Sequence, residues 1–390
     1  MTTGLPTRPR IPREEDFRSR LRGPEVTSRI GVWLGVCFAV AFLTGVYSHL
    51  SQQPDPVIPL PTHPVWLYRL TQGLHVTAGT AAVPLLLVKL WSVFPKLFAR
   101  PPKELRELAL HGAERVSIGV LMAAAIFQLV TGLMNTAQWY PWTFSFRATH
   151  DAVAWVAIGA LAVHIAVKLP VVRQAFAHDV DDDIVERPAD LPASALGRRS
   201  LLRTTWVAAG VAVLATAGAT VPWLRKVSVL AVRSGDGPGG VPINKSAAAA
   251  RVTGLADAAD YRLVVAHGDR ETSLSRADLE AMPQTTAELP IACVEGWSAQ
   301  GSWTGVRIRE LLDLVDAPHG SAVLVTSLQP SGPFRVTRLP AAFADDASSL
   351  LALALAGEPL SLDHGYPARV IAPNRPGVLQ TKWVARLEVV

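Results

Sequence analysis

Five stretches of this sequence contain no lysine, arginine, aspartate or glutamate, and they constrain the fold more than any other feature. An α-helix rises about 1.5 Å per residue, so roughly 20 apolar residues cross the hydrocarbon core of a bilayer. The sequence therefore predicts an N-terminal all-α bundle of five membrane-spanning helices. The five stretches are residues 30–53, 70–88, 116–146, 152–167 and 204–224.

The composition agrees with a membrane protein and argues against a nucleic-acid partner. Hydrophobic residues make up 49% of the chain and charged residues only 18%. The formal net charge of +5 could suggest nucleic-acid binding. The basic residues, however, lie in short blocks beside apolar stretches without interleaved aromatic residues, which is typical of contact with a lipid bilayer.

The distribution of basic residues predicts the orientation of the chain in a cell membrane. Residues 1–29, read as a flexible cytoplasmic tail, contain seven arginines, and segments 95–115 and 170–203 contain five basic residues each. Segments 51–72 and 139–149 contain one arginine each. Because positively charged loops stay on the cytoplasmic side, we expect a cytoplasmic N-terminus and an extracytoplasmic region after Leu224.

An arginine pair stands before the fifth stretch. Arg198 and Arg199 lie in the sequence GRRSLLR, followed by an apolar segment that ends in ATVP. This pattern resembles a twin-arginine export signal placed internally, which would suit a domain that receives an organic cofactor before export. The alternative is that both arginines only mark the cytoplasmic end of the helix.

Several histidines lie in or beside the apolar stretches. His150, just before the fourth stretch, and His164, within it, are 14 positions apart, about 21 Å along one face of a helix. His75 begins the second stretch on the outer side, and His111 precedes the third on the inner side. Imidazoles inside a bilayer are costly and usually functional, and a pair from two helices can bind a b-type haem.

This histidine spacing resembles the four-helix cytochrome b family, which includes membrane subunits of formate dehydrogenases and hydrogenases. The resemblance implies an outer haem between His75 and His150. It implies an inner haem on His164, but the partner near the start of the first helix is missing, and His111 is a substitute candidate. One b-type haem is therefore expected, with a second left open, together with exchange of electrons with a membrane quinone. The alternative is that interfacial histidines merely anchor helix ends.

The C-terminal part has the composition of an α+β domain. Segment 235–242, GDGPGGVP, is typical of a flexible connector. Strands are predicted at 261–266, 322–327, 334–339, 367–371 and 383–389, and helices after a capping box at Ser275 and Asp278 and at 308–315. The predicted organisation is a tail 1–29, a four-helix domain 30–170, a cytoplasmic loop 171–202, a fifth span 203–224, a linker 225–246 and an extracytoplasmic domain 247–390.

Cys293 is one of two cysteines, and Cys37 lies in an apolar stretch, so no disulfide is predicted. Cys293 stands in a turn rich in glycine and tryptophan after a short apolar segment, which suggests a soft metal ligand. The alternative is a small buried hydrophobic residue.

Two segments resemble the sulfite oxidase superfamily of molybdopterin-dependent oxidoreductases. They are CVEGWS at 293–298 with WTGVRIRELLDL at 303–314, and the closing segment from LALAGEPLSLDHGYPARVIAP to KWVARLEVV at 353–390. The resemblance implies that Cys293 is the protein thiolate on molybdenum, with molybdopterin supplying the other in-plane sulfurs. The expected cofactor-binding residues are Gly296, Trp297, Gly301, Arg369, Arg375 and Lys382. Gly296 and Gly301 would let the backbone approach the cofactor, and the three cations would contact its phosphate.

Arg335 and Arg338 are the predicted substrate-side catalytic residues, with Arg307 as a further candidate. The domain departs from the superfamily because it is short, has no immunoglobulin-like dimerisation domain, and has only VPINKS at 241–246 where an Asn- and His-containing pterin segment is usual.

Combining the parts predicts a membrane-bound enzyme that performs two-electron oxygen-atom transfer outside the cytoplasm on a small sulfoxide- or sulfite-like molecule. A resemblance to methionine sulfoxide repair systems makes a methionine-sulfoxide-type substrate plausible. One alternative is a b-type cytochrome whose outer domain is a metal-free binding module. The other is a membrane-anchored assembly protein without redox chemistry.

Overall fold

The computed structural model describes residues 12–17, 19–58, 60–184, 196–231 and 237–390. Five long helices form the N-terminal part, and each is long and apolar enough to cross a membrane. They are α1 (Pro24–Ser51), α2 (Leu67–Val93), α3 (Leu105–Thr136), α4 (Phe146–Ala177) and α5 (Arg198–Thr216). Each of the five predicted spans is thus confirmed as a helix. The insertion of these helices in a membrane stays a prediction.

The chain divides into two compact units. One contains the described residues of Met1–Val40, Ala78–Gly132 and Phe144–Val213, and the other contains Ala41–Thr77, Leu133–Thr143 and Leu214–Val390. The core of the first unit includes Val26, Ile30 and Leu85, with Leu201 and Leu202 packed against them. The second unit contains the C-terminal domain and the ends of helices α1, α2 and α3.

The C-terminal domain is α+β, as predicted, and contains two five-stranded sheets. The first has the order β2-β1-β10-β5-β6, in which β1 and β10 are parallel, and the second has the order β3-β4-β7-β8 with β9 also paired to β7. The strands are β1 (Arg262–His267), β2 (Arg270–Ser275), β3 (Thr285–Ala292), β4 (Ser298–Arg307), β5 (Val323–Ser327), β6 (Val336–Leu339), β7 (Leu350–Leu355), β8 (Glu358–Pro359), β9 (Arg369–Ile371) and β10 (Val384–Val389).

The C-terminal domain also contains five short helices, two before β1 and three between strands. They are α6 (Ala247–Ala250), α7 (Thr253–Ala256), α8 (Arg276–Ala281), α9 (Ile308–Asp313) and α10 (Ala341–Ala344). The predicted capping box is present, because the Ser275 hydroxyl accepts from the Asp278 N–H and the Asp278 carboxylate accepts from the Ser275 N–H. Helix α9 buries Ile308, Leu311 and Leu312 in the main core, as its periodicity predicted. Segments of 3₁₀ helix occur at Glu14–Phe17, Phe94–Phe98, Ala217–Ala219, Pro222–Leu224, Pro238–Gly240, Leu362–His364 and Gly377–Leu379.

Several predicted boundaries were wrong. Helix α1 begins at Pro24, so the end of the predicted flexible tail is helical, while residues 1–11 and 18 lie outside the described part. The third predicted span extended to residue 146, but α3 ends at Thr136. Pro141 cannot continue a helix, and Gln138 has a φ of +54°. Arg198 lies in the first turn of α5 rather than before it. Part of the predicted loop (185–195) and part of the linker (232–236) lie outside the described residues, whereas Val241 is buried.

Candidate functional site

Cys293 lies at the tip of the β3–β4 hairpin. The last strand pair joins Ala292 to Ser298, which leaves residues 293–297 as the loop. The Cys293 N–H donates to the Trp297 carbonyl at 2.8 Å, and the Gly296 N–H donates to the Cys293 carbonyl at 3.1 Å. Gly296 has a φ of +78°, which glycine adopts without strain. The thiol is therefore held by a tight loop at the end of a regular hairpin.

The loop faces a cavity in the C-terminal domain. Cys293 is 1% exposed, and the cavity also contains two cationic side chains, Arg369 and Lys382. The two cations can bind an anionic group, and the thiol can bind a soft metal that this group carries. The full lining is Val241, Pro242, Asn244, Ile291, Cys293, Trp297, Asp363, His364, Arg369, Gly377 and Lys382.

Lys382 is held in the cavity by oxygen acceptors. Its ammonium donates to Asn244 Oδ1 at 3.1 Å, to the Lys245 carbonyl at 2.5 Å and to the Asp363 carbonyl at 2.9 Å. Burial lowers its pKa to about 7, and the neighbouring Arg369 acts in the same direction. A bound anion would offset this loss of solvation, because it stabilises the charged form of the lysine.

Arg369 is buried with part of its hydrogen-bonding capacity unused. Its guanidinium donates to the carbonyls of His364 at 2.9 Å and Gln380 at 3.2 Å, and it stacks over the Trp303 ring at 4.9 Å. Its Nε has no partner among the described residues, and burial lowers its pKa to about 9. An unpartnered buried cationic donor is costly, so the geometry fits an acceptor brought by a ligand.

The thiol itself needs a cation to ionise. Burial and the nearby Glu295 carboxylate together raise the pKa of Cys293 to about 12, against the effect of Lys382. Burial also raises the pKa of Glu295, which accepts a hydrogen bond from Trp297 Nε1 at 3.1 Å. At neutral pH the free side chain is a thiol, and coordination to a metal would convert it to the thiolate.

These residues fit molybdopterin. Among the described residues there is no group of three or more His, Cys, Asp or Glu side chains that could hold a metal ion. A metal on Cys293 could take its other ligands from a cofactor that carries its own sulfur atoms. Lys382 and Arg369 supply the positive charge that the phosphate of such a cofactor requires.

The structure brings together four of the predicted cofactor-site residues, Cys293, Trp297, Arg369 and Lys382. Arg375 is buried in the closing segment but does not line this cavity. It donates to the Arg338 carbonyl at 2.9 Å, and its Nη1 has no partner among the described residues. It remains a candidate for a phosphate group outside the described cavity lining.

The two predicted glycines, Gly296 and Gly301, are packed against protein atoms. A Cβ on Gly296 would lie 2.7 Å from the Thr136 methyl group, and a Cβ on Gly301 would lie 2.6 Å from Trp303 Nε1. Both therefore make room for protein atoms. The glycine that lines the cavity is Gly377, which the sequence did not single out.

Arg335 and Arg338 do not line the cavity. Arg335 is exposed and donates to the Gln329 carbonyl at 3.0 Å, and Arg338 lies 3.9 Å from the Asp55 carboxylate. The third candidate, Arg307, is exposed and bonds Thr285. Their placement gives no support to a substrate role beside Cys293.

The sequence missed Asn244, Asp363 and His364 as site residues. The imidazole Nε2 of His364 is 2.8 Å from the Val241 carbonyl, which ties segment 241–246 to the closing segment. The signal for Asn244 was present in VPINKS. His364 and Asp363 lie in the quoted LDHGYP, but nothing in their spacing distinguished them from surface residues.

The four haem-candidate histidines lie in different parts of the structure. His75 belongs to the second unit, where its Nδ1 is 2.8 Å from the Ala41 carbonyl. His150, in the first unit, has its Nδ1 3.1 Å from the Thr131 hydroxyl. His164 and His111 also belong to the first unit, and the Nε2 of His111 has no partner among the described residues. Haem ligation by these residues stays a prediction.

Comparisons with known proteins agree with the site. Residues 249–390 match the family described as oxidoreductase molybdopterin binding domain. The chain is 28% identical over 170 residues to the mitochondrial sulfite oxidase of Drosophila melanogaster, covering 33% of this chain and 27% of that protein. It is 29% identical over 121 residues to the uncharacterized oxidoreductase YuiH of Bacillus subtilis, covering 31% of this chain and 60% of that protein.

A third relative is named "Putative protein-methionine-sulfoxide reductase subunit YedZ1", from Azospira oryzae. It is 30% identical over 135 residues, covering 34% of this chain and 50% of the relative. The chain thus spans less than two thirds of each of these relatives. The match and the cavity together establish a molybdopterin-binding oxidoreductase domain in the C-terminal region.

Proposed function

We propose, on the premise that residues 249–390 are an oxidoreductase molybdopterin-binding domain of the sulfite oxidase superfamily, that this chain is a membrane-bound molybdoenzyme. The observation that carries the proposal is the buried Cys293 thiol facing Lys382 and Arg369 in one cavity. When bound, the cofactor would supply two-electron oxygen-atom transfer. The relatives named above make a sulfite-like or sulfoxide-like molecule the substrate class.

The chain's own residues would bind and orient the cofactor. Cys293 would provide the thiolate ligand, and the rigid loop around it would fix its position. Lys382 and Arg369 would neutralise the cofactor's negative charge, while Trp297 and Ile291 would exclude water from one wall of the cavity. Glu295 holds the Trp297 indole through its hydrogen bond and so sets the orientation of that wall.

The five apolar helices support a location in the cell membrane. The basic segments support a cytoplasmic N-terminus and an extracytoplasmic C-terminal domain. His75 and His150 are the proposed ligands of one b-type haem, and His164 with His111 of a second. Electrons would pass between these haems and the quinone pool. A reduced-minus-oxidised absorption spectrum of the purified protein tests the haem, and the absence of a b-type band would refute it.

The central test replaces the proposed metal ligand. Cys293→Ser should abolish turnover of methionine sulfoxide or sulfite while leaving the haem spectrum unchanged, because the serine hydroxyl is a poor ligand for a soft metal. Cys37→Ser is the matched control and should retain both properties. Absence of molybdenum from the wild-type protein by elemental analysis would favour the alternative, a b-type cytochrome with a metal-free binding module.

A further inference from the structure

The loop that carries Cys293 is held by side chains from outside the molybdopterin-binding domain. The Asn135 side chain, at the end of α3, donates from Nδ2 to the Val294 carbonyl at 2.8 Å. The Thr220 hydroxyl, after α5, donates to the Gly296 carbonyl. Both donors lie outside residues 249–390, and both belong to the same compact unit as the loop.

A third contact fills the space beside the loop. The Thr136 methyl group packs against Gly296, and a Cβ added to Gly296 would lie only 2.7 Å from this methyl group. The loop's internal hydrogen bonds, from Cys293 to Trp297 and from Gly296 to Cys293, leave the carbonyls of Val294 and Gly296 for these external donors. Loss of a donor would leave a carbonyl unpaired next to the metal ligand.

Asn135 is itself fixed in place. It is 6% exposed, and its Oδ1 accepts a hydrogen bond from the Tyr140 hydroxyl at 2.9 Å. Burial raises the pKa of Tyr140, and the nearby Glu295 and Cys293 raise it as well, so Tyr140 lies close to the loop. The amide has a single orientation, because exchanging its O and N would place the amide oxygen against the Val294 carbonyl, which can only accept.

We propose that Asn135 is a positioning residue for the metal thiolate, and that the end of α3 completes the Cys293 loop from outside the molybdopterin-binding domain. This inference rests on the proposed function, since it concerns the same site. It assigns a role in the molybdenum centre to a residue of the helical part of the chain. The centre is then sensitive to the position of residues 133–136, the end of α3 that belongs to the same unit.

The first test uses full-length protein from a host that cannot make molybdopterin. In a Cys37→Ser background, Cys293 is the only cysteine, and its alkylation by a small maleimide reports how often the loop opens. Asn135→Ala should accelerate alkylation by about 5-fold or more, since a lost hydrogen bond of ordinary net strength shifts a local equilibrium by about that factor. An unchanged rate would overturn the proposal.

The second test uses the molybdenum-containing protein. Asn135→Ala should retain the metal but shift the electron paramagnetic resonance g-values of Mo(V), because these depend on the orientation of the thiolate. Tyr140→Phe, which removes one hydroxyl only, should shift the g-values in the same direction by a smaller amount. This variant replaces Asn135→Ala in the test if the alanine variant does not fold. Unchanged g-values in both variants would overturn the proposal.

The matched control breaks a different contact in the same unit. His63 Nε2 lies 3.2 Å from the Asp346 carboxylate, and neither residue lines the cavity. His63→Ala should leave both the alkylation rate and the g-values unchanged, and an effect equal to that of Asn135→Ala would show a general loosening instead. If wild-type protein lacks molybdenum, the proposed function fails, while the alkylation test still decides the role of Asn135.

Discussion

Lys382 and Arg369 are buried cations whose charge is balanced mainly by backbone carbonyls. Such groups cost folding free energy unless a ligand compensates for their lost solvation. Lys382 is 9% exposed, and Arg369 is 5% exposed with an unpartnered Nε. The two side chains are therefore better explained by an anionic ligand than by the stability of the domain alone.

Replacing Lys382 by methionine should separate binding from stability. Lys382→Met keeps the length of the side chain but removes a poorly solvated charge. We expect the melting temperature of the cofactor-free protein to rise or stay constant while the molybdenum content of the normally produced protein falls several-fold. The neighbouring Lys245, which is exposed, provides the control Lys245→Met. A full molybdenum content in Lys382→Met would contradict the assignment.

The same lysine should give the cofactor-free protein a pH-dependent stability. Its pKa is about 7 in the folded chain and near the ordinary 10.5 in the unfolded chain. Between about pH 7 and 8.5 the unfolded chain binds the proton that the folded chain has released, so the free energy of unfolding rises with pH. Cys293 acts in the opposite sense, because its pKa of about 12 keeps the folded thiol protonated while the unfolded thiol, with an ordinary pKa of about 9, begins to ionise toward pH 8.5. This contribution is common to the wild type and Lys382→Met, so the comparison of the two proteins isolates the lysine.

Thermal unfolding of the cofactor-free protein at several values between pH 7 and 8.5 measures this effect. The wild type should have a steeper rise of melting temperature with pH than Lys382→Met. Parallel curves for the two proteins would show that Lys382 is not the titrating group.

At the scale of elements, the β3–β4 hairpin shows what the sequence could and could not predict. The glycines and tryptophans after Cys293 indicated a turn, but strand β3, which leads into it, was not predicted. Strand β4 itself was missed, because SAQGSWTGVR alternates poorly and contains two glycines. One of them, Gly301, is required by the Trp303 ring, a contact that depends on how the strand packs.

The boundaries of helix α3 were predicted wrongly for a related reason. The absence of charge locates an apolar segment but does not show where hydrogen bonding ends, so α3 was predicted to be ten residues too long at its C-terminal end. Its N-terminal end was missed because the first turns, from Leu105, are charged and extend beyond the apolar stretch. The end of α3 at Thr136 is the part that places Asn135 beside the Cys293 loop.

Gly296→Ala should be destabilising, and Thr136→Ser should rescue part of the loss. The new Cβ would lie 2.7 Å from the Thr136 methyl group, whereas the nearest remaining atom after Thr136→Ser would be 3.4 Å away. The cost of a positive φ, about 1 kcal/mol, would remain.

Gly320→Ala isolates that backbone cost, because Gly320 has a φ of +80° and an added Cβ there would have no atom within 4 Å. Melting temperatures of the four variants, including Gly296→Ala/Thr136→Ser, measure the steric part. No rescue in the double variant would show that Thr136 does not limit the loop.

At the scale of the whole molecule, the proposed orientation requires the C-terminal domain to cross a membrane after it has acquired its cofactor. The arginine pair at the start of α5 is the proposed export signal. The structure adds an observation that bears on the alternative, since both arginines make contacts within the first unit. Arg198 is 7% exposed, donates to the carbonyls of Arg20, Val180 and Asp182, and pairs with Asp183.

Arg199 is different, because its side chain is 55% exposed and, among the described residues, pairs with the exposed carboxylates of Asp179 and Asp181. Exposed ion pairs contribute little to stability, so Arg199→Lys should leave the fold intact. Arg198→Lys should be more disruptive, since a lysine cannot reproduce the fork of donors that reaches three carbonyls. The two single variants therefore separate export from structure in a way that the double variant cannot.

If the pair is an export signal, Arg199→Lys should leave the C-terminal domain in the cytoplasm at normal protein levels, because recognition would need both arginines. If the pair is structural, Arg199→Lys should export normally, and only Arg198→Lys should lower the amount of protein. Protease digestion of intact spheroplasts, followed by detection of a C-terminal tag, measures the location. Normal export of Arg199→Lys would reject the signal and leave Arg198 as a residue that joins the start of α5 to the segment following α4.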